Sequence, residues 1–188
     1  MSTTDATYRF LALLAEDKEL SQKFADIAFG PYYDLSRVKE EDQTPEICWE
    51  AVSHSYANLG RVKNQTRELC LMAIHKGDGG GALYHIRDQT PELCEESVRL
   101  HPFSLMYVRD QTPALCLLAV KQSGLTLQFV HDQTPDLCLA AVSQDGRALQ
   151  YVKEQTPEIC AAAVRQWAGA IQYVKQLTPE IEAGVALE

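Results

Sequence analysis

Positive charge is scarce in this chain: 17 Lys and Arg stand against 26 Asp and Glu over 188 residues, a formal net charge of -9. A general nucleic-acid binder needs a basic stripe to replace counterions, so the balance argues against that class. It is compatible with a basic protein partner or with mimicry of a nucleic acid, and its plainest effect is solubility. Long apolar runs are missing too, since none approaches the ~18–20 residues that a membrane span requires. The stretch from Met1 to Leu20 carries Asp5, Glu16, Asp17 and Glu19 with no basic n-region, which is not a secretory signal. The expectation is a cytoplasmic protein that does not engage a membrane. Catalytic signatures are also lacking. Gly77-Asp78-Gly79-Gly80-Gly81 has no lysine or Ser/Thr of a phosphate loop, which leaves a flexible turn. No local serine, histidine and acid arrangement resembles a nucleophilic triad. The chain is expected to be no enzyme, with no catalytic residues and no cofactor.

What is present is a repeat. Gln43, Gln65, Gln89, Gln111, Gln133 and Gln155 recur at intervals of 22, 24, 22, 22 and 22 residues inside Asp-Gln-Thr-Pro-Glu or a close variant. Fixed self-similarity at a period above twenty means a stacked array. In the unit from Gln133, Thr134 can cap a helix, Pro135 suits its first position and Asp136 favours the dipole. Leu137, Cys138, Ala141 and Val142 then mark one buried face, and Gly146 is expected to end the helix as a left-handed cap. Ala148, Leu149 and Val152 give a second, shorter buried face. The fold class is therefore all-α, an α-solenoid of about six 22-residue helix–turn–helix repeats with helical N- and C-terminal caps. Residues 1–42 are expected to be the N-terminal cap, 43–176 the tandem repeats and 177–188 a capping helix, all one continuous array. In the N-terminal cap, Phe10, Leu11, Leu13 and Leu14 suggest one amphipathic helix and Leu20, Phe24, Ile27 and Ala28 another. Leu35 and Val38 resemble the second helix of a repeat, as Leu59 and Val62 do.

Cys48, Cys70, Cys94, Cys116, Cys138 and Cys160 share one repeat position on the buried face. Equivalent atoms of packed helices lie roughly 8–10 Å apart, too far for disulfides, whose Cα atoms need about 4.4–6.8 Å. Tetrahedral zinc is out of reach of such a ladder for the same reason. Small buried hydrophobes are the expected role, with no metal site; a thiol- or metal-binding repeat protein stays as an alternative. The repeated glutamine is expected to hydrogen-bond loop backbone between units. The basic residue that ends each unit (Lys63, Arg87, Arg109, His131, Lys153) looks like a charge balancing a helix dipole.

Two surfaces remain. In the second helix His85, Tyr107, Phe129, Tyr151 and Tyr173 fall at the edge of the buried face, on the roughly 100° per residue of an α-helix. Beside them Tyr84, Met106, Gln128, Gln150 and Gln172 point outward. With Arg61, these positions form a ridge suited to protein recognition; the rings have a second reading, as seals of the repeat junctions. In the first helices Trp49, Leu71, Met72, Leu117, Leu118 and Leu139 are apolar where the same arithmetic points away from the core. They suit self-association as a homodimer, or a first-helix layer covered on more sides than a two-layer stack provides.

Leu137-Cys138-Leu139-Ala140-Ala141-Val142 and Gly146-Arg147-Ala148-Leu149-Gln150-Tyr151-Val152 resemble the tandem helical repeats of a bacterial domain-of-unknown-function family, over about Gln43 to Val174. This chain departs from it by a cysteine in every first helix, and by aspartate or serine where asparagine often precedes the glycine. The resemblance implies a bacterial or phage-like source and an interaction module, and it brings no catalytic residues. The expected function is a non-enzymatic scaffold or adaptor that binds a protein partner through its variable outward positions. The alternative is an acidic inhibitor, or nucleic-acid mimic, acting on a basic enzyme.

Overall fold

Each Asp-Gln-Thr-Pro motif opens a helix by a local device. In the computed structural model, which describes Glu19, residues 34–77, residues 80–179 and Ile181, the hydroxyls of Thr44, Thr66, Thr90, Thr112, Thr134 and Thr156 accept the backbone N–H three residues on, at 3.2–3.4 Å. Such a cap contributes about 1 kcal/mol. Proline follows at the first helical position except in the second repeat, where Arg67 stands and the helix still begins. The helices so started are Pro45–His54, Arg67–Lys76, Pro91–Leu100, Pro113–Gln122, Pro135–Gln144 and Pro157–Gln166, each of 10 residues. Isolated helices of that length are marginal in water, so packing sustains them.

The second segment of each unit differs in kind from the expected α-helix. Tyr56–Arg61, Pro102–Tyr107, Gly124–Phe129, Gly146–Tyr151 and Ala168–Tyr173 are 3-10 helices of 6 residues. The glycine-rich second repeat has a four-residue α-turn instead, Ala82–His85. One extended residue (Ser55, His101, Ser123, Asp145 or Trp167) joins the long helix to the short one. With so short a connection, the tighter 3-10 winding brings Leu59, Leu105, Leu127 and Leu149 back onto the core, where none is exposed.

Gly146 is not a left-handed cap. Among the described glycines only Gly80 has a positive φ, 80°. Gly146 instead begins a 3-10 helix pressed against the next repeat: a Cβ there would stand 2.6 Å from the Ala163 carbonyl oxygen. Gly124 meets the Ala141 carbonyl oxygen in the same way. Glycine is needed at these two positions for close approach, not for φ.

The chain forms two compact units, Met1–Asp88 and Gln89–Glu188. In the first, Pro45–His54 packs on Arg67–Lys76, Tyr56–Arg61 packs on Ala82–His85, and the short 3-10 helix Leu35–Arg37 packs on Tyr56–Arg61. Leu35–Arg37 thus takes the place of a repeat's second helix, as its sequence suggested. Buried Asn58 fastens it, accepting from the Leu35 N–H at 3.0 Å and donating to the Ala51 carbonyl at 2.9 Å. In the second unit the long helices stack in order, as do the short ones. The fold is an all-α helical repeat array, packed sequentially within each unit. The two N-terminal helices expected from Phe10–Leu14 and Leu20–Ala28 lie outside the described residues. So does most of the C-terminal capping helix, of which Pro179 and Ile181 are helical and Ile181 is buried.

Candidate interaction surfaces

A 3-10 helix has three residues per turn, so residues i and i+3 eclipse and each short helix has three columns. In Gly146–Tyr151, Gly146 and Leu149 face the core. Ala148 is buried above half-buried Tyr151, while Arg147 and Gln150 are exposed. The register repeats: Tyr84, Met106, Gln128, Gln150 and Gln172 are exposed, while His85, Tyr107, Phe129, Tyr151 and Tyr173 are half-buried. Arg61 is exposed as well. Three-fold winding also adds Phe103, Leu125 and Arg147 to the outward column, one turn before Met106, Gln128 and Gln150. The α-helical arithmetic missed them; three-residue spacing would have found them. Tyr84, Met106 and Phe103 are 68%, 49% and 40% exposed, large for apolar side chains.

Ring contacts order these columns. In the second unit Phe103 meets Phe129 edge-on at 5.9 Å and Trp167 tilts over Tyr173 at 6.2 Å. In the first, His85 lies 6.0 Å from Tyr56 and 5.2 Å from Tyr84. Burial, and secondly the nearby Arg61 charge, push the His85 pKa down and favour the neutral ring. Arg61 itself pairs with Asp34 at 3.6 Å. The first-helix set gives a different picture: Trp49, Leu71, Met72, Leu117, Leu118 and Leu139 are all half-buried, none fully exposed.

The motif side of the array is a junction. The Gln133 Nε2 donates to the Leu127 carbonyl of the preceding repeat at 3.3 Å and to the Tyr151 carbonyl of its own repeat at 3.0 Å. Its Oε1 accepts the Lys153 N–H at 3.0 Å and the Cys138 thiol at 3.7 Å. Gln111 and Gln155 repeat all four bonds. Two of the basic residues, Arg87 and Lys153, are not simple dipole charges, because their side chains reach back to carbonyls of the preceding repeat. Lys153 Nζ donates to the His131 carbonyl at 2.6 Å, and Arg87 donates to those of Val62 and Lys63 at 2.7 and 3.0 Å. A second glutamine row escaped the sequence reading: Gln144 and Gln166 accept the Gly124 and Gly146 N–H at 2.5 and 2.6 Å. The 22-residue recurrence of Gln122, Gln144 and Gln166 was its signal.

All six cysteines are free and buried. Burial pushes every one of the thiols above its ordinary pKa, which disfavours the nucleophilic thiolate. Two register-equivalent grooves open on this side of the second unit. The larger, about 520 Å³, is lined by Cys116, Arg109, Asp110, His131 and Asp132 among others. The smaller, about 250 Å³, has Cys160 and Lys175 in its lining. Among the described residues no three His, Cys, Asp or Glu side chains are grouped to hold a metal. No described helix is long and apolar enough to cross a membrane.

Residues 114–156, close to two repeat lengths, match the family model described as Domain of unknown function (DUF4116). No curated protein and no solved structure matches the chain. The match covers the second-unit repeats with the glycine starts at Gly124 and Gly146. These are tandem short helical repeats similar to that family, and the similarity carries no activity with it.

Proposed function

We propose that this protein is a non-enzymatic scaffold or adaptor of bacterial or phage type, acting in the cytoplasm, that docks a protein partner on the outward columns of its short helices. One observation carries the reading: the outward column sets the large apolar side chains Tyr84, Met106 and Phe103, at 68%, 49% and 40% exposure, beside exposed glutamines. It holds Tyr84 in the first unit, and Phe103, Met106, Gln128, Gln150 and Gln172 in the second. Exposed aromatic and methionine side chains beside adaptable polar groups suit the core of an interface. The test is capture from native-host extract by proteins carrying a photo-crosslinkable residue at Met106, Gln128 or Gln150, against one carrying it at Glu158 on the motif side. A discrete adduct at the ridge positions, abolished by Met106→Glu with Gln150→Glu, is expected. Capture that ignores those charges would reject this surface.

A further inference from the structure

On the motif side the stack repeatedly seats a cation on backbone carbonyls. The Lys175 ammonium, in the lining of the smaller groove, donates to the Val152 and Lys153 carbonyls at 3.1 and 3.0 Å. One repeat earlier Lys153 donates to the His131 carbonyl at 2.6 Å. In the first unit Arg87 donates to the Val62 and Lys63 carbonyls in the same register. His131 breaks the series. It holds the register of Lys153 and Lys175 in the lining of the larger groove, and its imidazole, shorter than a lysine stem, makes no hydrogen bond among the described residues. The Val108 carbonyl is the counterpart of the Val152 carbonyl there, and among the described residues no donor reaches it.

We propose that the larger groove is a binding site for a primary ammonium on an alkyl stem, the group that a lysine side chain carries. The bound ammonium would stand where Lys175 sets its own in the register-equivalent groove. The charge that selects it lies in the groove itself. Asp110, Asp132 and Asp136 line it against the single guanidinium of Arg109, and none of these carboxylates is in an ion pair among the described residues. The thiols register the missing cation. Burial raises the pKa of Cys116, Cys138 and Cys160; Lys153 and Lys175 pull Cys138 and Cys160 back, whereas Asp132 pushes Cys116 further up. An ammonium has three donors to divide between a carbonyl and carboxylates, and Leu117 and Leu137 in the lining give its stem apolar surface. With histidine in place of lysine the groove measures about 520 Å³, against about 250 Å³ where Lys175 lines it.

This inference does not depend on the outward columns. Its test titrates the isotope-labelled full chain, read by backbone amide NMR shifts, with an end-capped unstructured peptide carrying one lysine. The same peptide with that lysine acetylated and a free alkyl diamine are the other two probes. The lysine peptide should shift amides within residues 109–117 and 131–137, less so as salt rises, and the acetylated peptide should leave them unmoved. His131→Lys supplies the chain's own ammonium and should weaken binding at least about tenfold. Asp132→Asn should weaken it too, and both positions are exposed, so circular dichroism should not change. Tighter binding of the peptide than of the diamine assigns the site to the lysine of a polypeptide partner, and the reverse order assigns it to a free amine. No shift with either amine, equal shifts with the acetylated peptide, or wild-type binding by a folded His131→Lys variant overturns the inference.

Discussion

The thiol of Cys138 donates to the side-chain oxygen of Gln133 at 3.7 Å. The same oxygen accepts the Lys153 N–H, while the Gln133 nitrogen reaches a carbonyl of the preceding repeat. One amide thus joins the start of its own helix, the end of its own repeat and the unit before it. Cysteine suits its place because it is small enough for the packed face and still carries a weak donor for that oxygen.

Removing that amide should loosen the stack. Gln133→Ala strands several half-buried backbone groups, and we expect a loss of about 1–3 kcal/mol in urea denaturation. Gln133→Glu keeps the acceptors and loses both donors, so it should lose stability too. An unchanged midpoint for both variants would mean that the junction is held by packing alone.

The thiols predict a pH dependence with a definite sign. Burial raises their pKa in the folded chain above the ordinary value of 9.0. Folding therefore favours the protonated form, and this contribution is complete at neutral pH and is lost as pH climbs through the folded values. Melting temperature should fall above about pH 9, less steeply in a Cys116→Ala and Cys138→Ala variant. At pH 8 the six thiols should resist a thiol reagent until denaturant is added. Rapid labelling of the native protein would contradict the buried geometry.

Gly146 separates two explanations of one glycine. A left-handed cap would accept asparagine, whereas close approach to the Ala163 carbonyl rejects any Cβ. Gly146→Ala and Gly146→Asn should both cost about 1–3 kcal/mol by thermal unfolding. An asparagine variant as stable as wild type would restore the cap.

Ser97 and Ser104 are fully buried, and among the described residues their hydroxyls have no hydrogen-bond partner. Their register equivalents include Ala73, Ala119 and Ala141 for the first, Ala82, Ala148 and Ala170 for the second. Ser97→Ala and Ser104→Ala should each stabilise the chain, by up to about 1 kcal/mol. A clear loss of stability on either change would reveal a partner for that hydroxyl.

The sequence by itself determined the repeat length, the helix starts and the identity of the core. Those follow from short-range physics: a Thr134 hydroxyl meets an N–H three residues away, and apolar spacing declares a buried face within ten residues. It also placed Tyr84, Met106 and the outward glutamines away from the core, because a residue outside both buried faces has nowhere else to go. Only the tertiary structure decided that the second segments wind as 3-10 helices, which brought Phe103, Leu125 and Arg147 into the outward column. The one-residue joint fixes that winding, and joint geometry is set by how the units stack. The roles of Gly146 and Lys153 were settled in the same way, and so were the particular partners of Gln133, whose bonding to loop backbone between units the sequence had already suggested. Their partners lie in neighbouring repeats, so the contacts that explain them exist only once the units are side by side.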